Sequence, residues 1–134
     1  MKFLIAKLFS TRKLKGQLDI KDYNSLLLKP IGDAIGDSIV HIAHIKQIKA
    51  AFPNMKIGVL ATDRCKAIYE CSGIIDEILN NKYVTYLNQR NKWDLYLDFS
   101  PSFTSKFIIC DAILSPKWII NFGKKIKNTI IYKP

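Results

Sequence analysis

Acidic residues are scarce in this chain. Eleven aspartates and glutamates face 21 lysines and arginines, a formal net charge of +10 over 134 residues. Such an excess calls for an anionic partner, and phospholipid, phosphorylated sugar and nucleic acid are the classes in range. Long apolar runs are missing too. The longest, such as Phe3–Ala6 and Phe107–Cys110, reach four residues, whereas a bilayer-spanning helix needs about 20. The opening Met1–Phe9 is apolar and basic, but Lys7 interrupts it and no small-residue cleavage site follows, which argues against a secretory signal. Three cysteines, Cys65, Cys71 and Cys110, form an odd set without a CxxC pair. They exclude a disulfide framework and a zinc site, and are expected to be reduced thiols with no metal role. A GxGxxG dinucleotide fingerprint is absent, and Gly36 is followed by Asp37 where a Walker A loop would carry Lys-Ser or Lys-Thr.

What is present is a globular balance, 49% apolar and 24% charged, on a chain long enough for one domain. Its positive charge is uneven. Residues 1–24 hold Lys2, Lys7, Arg12, Lys13, Lys15 and Lys21, and residues 117–134 hold five lysines and no acid. Aromatic residues are not interleaved with these cations, so single-stranded nucleic acid is disfavoured. A basic, partly apolar N-terminal arm suits a membrane surface better. We therefore divide the chain into a basic arm, 1–24, and a domain, 25–134.

Within the domain, apolar runs and helical spacings alternate. Ser25–Leu28 is expected to be a buried strand ending at Lys29-Pro30, followed by a glycine-bearing turn over Gly32–Asp37. Ser38–Phe52 has helical spacing, with Ile39, Ile42, Ile45, Ile48 and Phe52 three or four apart. Further strands are expected at Lys56–Leu60, Ile74–Leu79, Asp94–Phe99 and Trp118–Phe122, with helices at Arg64–Cys71 and Ser102–Leu114. Asn80–Lys92 reads as a loop with a helical turn, and Thr129–Tyr132 as a sixth strand or a tail. Such alternation predicts an α/β, Rossmann-like, doubly wound parallel sheet, its strands short apolar runs because helices cover both faces. In that architecture ligands bind beyond the carboxyl ends of the strands, at the Gly32–Asp37 turn and the segment after Phe99.

The strand–turn–helix unit therefore carries the chemistry. Gly36 lets a backbone approach a ligand, and a helix start offers free N–H groups. Asp37 is either a helix N-cap or a general base that draws a proton from an acceptor hydroxyl. Asp33 is a turn residue or a neighbour of that base. His41 and His44 stand three apart, with no third ligand near, and His41 reads as a packed histidine. Asp94 and Asp98 share one strand face, and Asp98, nearer the strand's end, is the candidate to line the cleft.

Several stretches resemble one family in register. Leu26-Leu27-Leu28-Lys29, then Ala34-Ile35-Gly36-Asp37-Ser38-Ile39-Val40, then Ala51-Phe52-Pro53 and Lys56–Leu60 are similar to the opening of family 9 glycosyltransferases, the ADP-heptose:lipopolysaccharide heptosyltransferase group. Gly73-Ile74-Ile75-Asp76-Glu77-Ile78, Trp93–Phe99 and Ile120-Asn121-Phe122-Gly123 resemble later strands and a turn of that family. Ala43 stands where the family usually has proline, and Thr104 precedes Ser105 where a basic residue is common.

The resemblance implies the N-terminal, acceptor-side half of a GT-B enzyme of lipopolysaccharide core synthesis, with the C-terminal donor-binding domain absent from this chain. It implies an inverting transferase with Asp37 as its catalytic base and Lys29, Gly36, Asp33, Asp98 and Ser105 lining the acceptor cleft. No metal is implied. The donor of the complete enzyme would be a nucleotide sugar of the ADP-heptose type, with no cofactor held by this half alone. Its expected partners are an anionic lipid-linked saccharide acceptor and a donor domain on a separate chain. Its expected place is the cytoplasm, in peripheral contact with the inner membrane. On this reading the chain is truncated and inactive alone. The competing reading is a non-catalytic basic module that binds anionic lipid or nucleic acid.

Overall fold

The computed structural model describes residues 12–13, 18–100, 104–122 and 130–133. Five parallel strands form the centre: β2 (Ser25–Lys29), β3 (Lys56–Ala61), β4 (Glu77–Asn80), β5 (Leu95–Asp98) and β6 (Trp118–Asn121). Two antiparallel strands, β7 (Ile130–Lys133) on β6 and β1 (Arg12–Lys13) on β7, extend one edge. The spatial order is β1-β7-β6-β5-β2-β3-β4. Chain order among the parallel strands reverses at β2, which has β3 on one side and β5 on the other. This is the Rossmann-like α/β arrangement.

Among the described residues four α-helices cover the sheet: α1 (Ile35–Ala51), α2 (Lys66–Ser72), α3 (Tyr83–Asn88) and α4 (Ser105–Leu114). Side-chain alternation along β2 and β5 separates two cores. Leu26, Leu28, Leu95 and Leu97 pack with Ile45 of α1 and Tyr69 of α2. Leu27 and Tyr96 pack on the opposite face with Tyr86 of α3 and with Cys110 and Leu114 of α4. Leu18, Ile20 and Tyr23 close on the first of these cores, so the end of the basic arm is anchored on the domain. No described helix is long and apolar enough to cross a membrane, and all three cysteines are free.

Several expected boundaries move, each for a local reason. The first helix begins at Ile35, not Ser38, because Ala34 is its extended N-cap, and so Gly36 and Asp37 lie in the first turn. Asp37 is therefore not an N-cap. The buried face of α1 is Ser38, His41 and Ile45, while Ile39 is 58% exposed. One hydrogen bond from the loop fixes that rotation, His41 Nε2 accepting from the Ile31 N–H at 3.1 Å, while Ser38 Oγ donates back to Ala34 O at 3.1 Å within the helix start. The third parallel strand starts at Glu77 rather than Ile74. Just before it, the Asp76 carboxylate accepts from the Ile57 N–H at 2.7 Å and from Lys49 Nζ at 2.6 Å. Inside the expected 80–92 loop, buried Tyr86 anchors α3, its hydroxyl donating to Asn81 Oδ1 at 2.9 Å. The last expected strand is present as β7. Phe103, expected on a buried side of the fourth helix, lies outside the described residues.

Asp94 and Asp98 do not act as a pair on one strand face. Asp94 precedes β5 at the amino-terminal edge, where it accepts from the backbone N–H groups of Asn24 and Ser25 and pairs with Lys117 at 2.7 Å. Burial works against its charge, but Lys117 and the Asn24 N–H outweigh it and hold the carboxyl below its ordinary value. Asp76, at the same edge, is also held low: burial opposes its charge, and Lys49 and the Ile57 N–H prevail.

Gly58 marks the tightest packing. A Cβ there would collide with the benzo ring of Trp93, whose Nε1 donates to Gln89 Oε1 at 3.0 Å. Overpacking of this kind costs about 1–3 kcal/mol. Gly58→Ala is expected to lower the unfolding free energy by that amount, read as a lower urea midpoint at unchanged slope, with a shift in Trp93 fluorescence. An unaltered midpoint would show that the indole does not lie on the strand.

Candidate functional site

At the carboxyl ends of β2 and β5 the chain leaves toward opposite faces of the sheet. After β2 it enters α1, which packs on one face. After β5 it enters α4, which packs on the other. Diverging connections of this kind open a crevice between two neighbouring strand ends. Lys29 and Asp98, the last residues of β2 and β5, are register partners at its floor. Gly36 and Asp37 stand on the α1 side and Ser105, the first residue of α4, on the other. The fold thus gathers five of the six expected positions around one crevice. The sixth, Asp33, is exposed in the loop between β2 and α1, where its carbonyl accepts from Cys65 Sγ at 3.0 Å.

The floor is electrostatically unusual. Lys29 is 3% exposed and Asp98 1% exposed. Lys29 Nζ has no hydrogen-bond acceptor; it lies 3.5 Å from the centroid of the Phe107 ring. Asp98 Oδ1 accepts from the Ser100 N–H at 2.8 Å, while Oδ2 has no donor. No ion pair joins the two among the described residues. A buried charge without a hydrogen-bonding partner costs several kcal/mol, and a desolvated cation–π contact returns about 2 kcal/mol. Such an arrangement can accept a ligand rich in hydroxyl and anionic groups, because a hydroxyl donates to a carboxylate and accepts from an ammonium. Nearby Cys110 is a poor nucleophile: burial pushes its thiol up, and the charge of Lys29 only partly opposes this.

The α1 wall is held by its loop. The loop turns at Gly32 with φ +54°, and the Ile31 N–H and the Asp33 carbonyl are tied to His41 and Cys65 as described. Because His41 Nε2 is the acceptor, the neutral ring carries its proton on Nδ1. Burial first, and then the charge of His44, push the His41 pKa down, and Asp37 partly opposes them. Asp37 itself is half-buried and makes no hydrogen bond or ion pair among the described residues. Its charge reaches Tyr69, whose phenol is raised chiefly by burial and also by Asp37. A Cβ added at Gly36 would meet nothing within 4 Å, so the first turn of α1 faces open space.

Sequence reasoning overlooked two groups at this edge. Phe99 and Phe122, each directly after a strand, stack at 4.4 Å, and His41 meets Phe99 edge-on at 4.8 Å. An aromatic immediately following each of two adjacent strands was the available signal. Farther along, Lys82, Tyr83, Lys106 and Phe107 line a cleft of about 250 Å³ between α3 and α4. There the Lys82-Tyr83 pair near the start of an acid-free stretch was the cue. Among the described residues no cluster could hold a metal ion.

No protein-family model matches the sequence, and none of the curated proteins compared with it does. The solved structures similar to it include two of low identity. One is PigF with SAH, 14% identical over 78% of this chain and 32% of that one, with a TM-score of 0.51. The other is KpsC, beta Kdo 2,7 transferase, from Thermosulfurimonas dismutans, 13% identical over 80% of this chain and 36% of that one, with a TM-score of 0.43. The first likeness establishes the Rossmann-like fold and nothing finer; the second superposes too loosely to carry an argument. The chain spans about a third of the length of each.

The lowered His41 pKa has a consequence for stability. Below the ordinary histidine value near 6.5 the unfolded chain binds more protons than the folded one. The contribution of His41 is complete above that pH and is lost as pH falls through the folded value. Unfolding free energy is expected to decline as pH drops from about 7 toward 5. His41→Leu removes that slope and costs about 1–3 kcal/mol at neutral pH by orphaning the Ile31 N–H. A slope that persists in the variant would contradict the assignment.

Proposed function

We propose that this domain forms the acceptor side of a glycosyltransferase-like enzyme acting on lipopolysaccharide core or a related saccharide. One observation carries the reading. The two neighbouring strands at the reversal of strand order end in buried Lys29 and Asp98, incompletely partnered among the described residues, at the same sheet edge where the first turn of α1 presents Asp37 without a hydrogen bond among those residues. The family resemblance, centred on Ile35-Gly36-Asp37, supports the same residues.

On this reading Asp37 takes the proton of an acceptor hydroxyl as its oxygen attacks the anomeric carbon of the donor. Configuration inverts and the nucleotide diphosphate leaves. Lys29 attracts an anionic group of the acceptor, Asp98 accepts from its hydroxyls, and Ser105 at the start of α4 borders the pocket. Asp33 keeps a loop role. The donor, a nucleotide sugar of the ADP-heptose type, is held by a second domain on this or another chain, which also stabilises the leaving diphosphate. A lipid-linked anionic acceptor would set the work at the cytoplasmic face of the inner membrane, and the excess positive charge favours such a ligand.

Two measurements test this. The chain should bind a phosphorylated lipid-core saccharide, and Asp37→Asn should leave that affinity within about twofold. When the chain is fused to the donor domain of a family 9 enzyme, the same substitution should lower kcat by about 10²–10⁴. Absence of saccharide binding, or full turnover by the Asp37→Asn fusion, would overturn the proposal.

A further inference from the structure

The α3 helix buries Tyr86 and leaves its other side apolar and bare. Tyr83, Val84 and Leu87, at spacings of three and four, are 50%, 64% and 57% exposed. Lys106 of α4 lies 5.1 Å from the Tyr83 ring, and Ile109, three residues beyond it, is 41% exposed. The two helices thus both present exposed apolar side chains, and Lys106 over Tyr83 joins their surfaces. Cations flank them: Lys82, Arg90, Lys92 and Lys106 are all exposed, and residues 80–93 contain no acid. Lys82 and Lys106 also stand at the mouth of the α3–α4 cleft, which is about 250 Å³ in volume.

Apolar tips ringed by lysine and arginine match the layering of an anionic bilayer, whose phosphates lie above its acyl chains. Other occupants fit less well. A second copy of this chain would bring the same cations against one another, and four side chains fall short of the roughly 800 Å² per partner of a stable dimer. Nucleic acid gains nothing from exposed valine, leucine and isoleucine.

We propose that the α3–α4 surface docks this domain on an anionic phospholipid bilayer. Val84, Leu87 and Ile109 enter the interface, Tyr83 sits at headgroup level, and Lys82 and Lys106 take headgroup phosphates at the cleft mouth. The inference does not depend on Asp37 or on sugar transfer, and it assigns membrane contact to the middle of the chain, not to the basic arm.

Co-sedimentation of the chain with vesicles tests it. Phosphatidylcholine vesicles mixed with phosphatidylglycerol should be bound, and vesicles of phosphatidylcholine alone should be bound far more weakly. Val84→Ser with Leu87→Ser should lower the partition coefficient about tenfold or more. Lys82→Gln and Lys106→Gln should each lower it about fivefold and flatten its salt dependence. All four positions are exposed, so circular dichroism melting should be unchanged. Binding that survives the Val84/Leu87 change would assign the contact to other lysines and overturn the proposal. So would equal binding to both kinds of vesicle, or no binding at all. Concentration-dependent dimerisation abolished by the same double substitution would make a second copy the occupant, and equal affinity for an oligonucleotide would make it nucleic acid; either result overturns the bilayer assignment.

Discussion

Three consecutive leucines on β2, Leu26, Leu27 and Leu28, are at most 1% exposed, and the rest of the structure follows from that burial. Successive strand residues point to opposite faces, so a strand apolar at every position must be covered on both. Both flanks are occupied too, by β3 and β5 in parallel register. The connections leaving β2 and β5 therefore go to different faces, and a crevice opens where they diverge. Lys29 continues the parity of Leu27, which sends its side chain toward α3 and α4 instead of α1. Burial of one strand thus determines where the crevice lies and which charge stands at its floor.

The two ends of the sheet treat charge differently. At the amino-terminal edge Asp76 and Asp94 are satisfied by backbone N–H groups and by lysines. These contacts splice strands together, and both carboxyls are held low as a result. At the carboxyl edge, among the described residues, Lys29 Nζ and Asp98 Oδ2 have no hydrogen-bonding partner though both are buried, and Asp37 makes no hydrogen bond or ion pair. Sequences depart from full polar satisfaction where function demands it. The contrast between edges of one sheet separates carboxylates that hold the fold from those on which the proposed site rests.

Alternation of apolar runs with helical spacing was enough to read the α/β class and the parallel strands, because β2, β3 and β5 are buried on both faces and carry the composition that burial requires. The places of Lys29 and Asp98 at strand ends were readable for the same reason, since each follows the last apolar residue of its strand, and Asp37 falls in the first turn of the helix that the strand leads into. Rotation of α1 was not readable. Its isoleucines predict a face through Ile39, but the hydrogen bond from the Ile31 N–H to His41 turns a mixed polar face inward. The partners of Asp94, which are Asn24, Ser25 and Lys117, could not be read because they are remote in sequence. The α3 helix lies where a helical turn was expected, and its extent is fixed by one buried tyrosine.

The central claim is that Lys29 is kept buried for a ligand and not for the fold. Lys29→Met, whose side chain fills the same channel and still packs on Phe107, tests it by paired measurements of unfolding free energy and of binding to a phosphorylated saccharide. The account predicts a variant about 1 kcal/mol more stable whose affinity falls by about tenfold or more. A less stable variant with unchanged affinity would make Lys29 a structural residue and remove the floor of the proposed site.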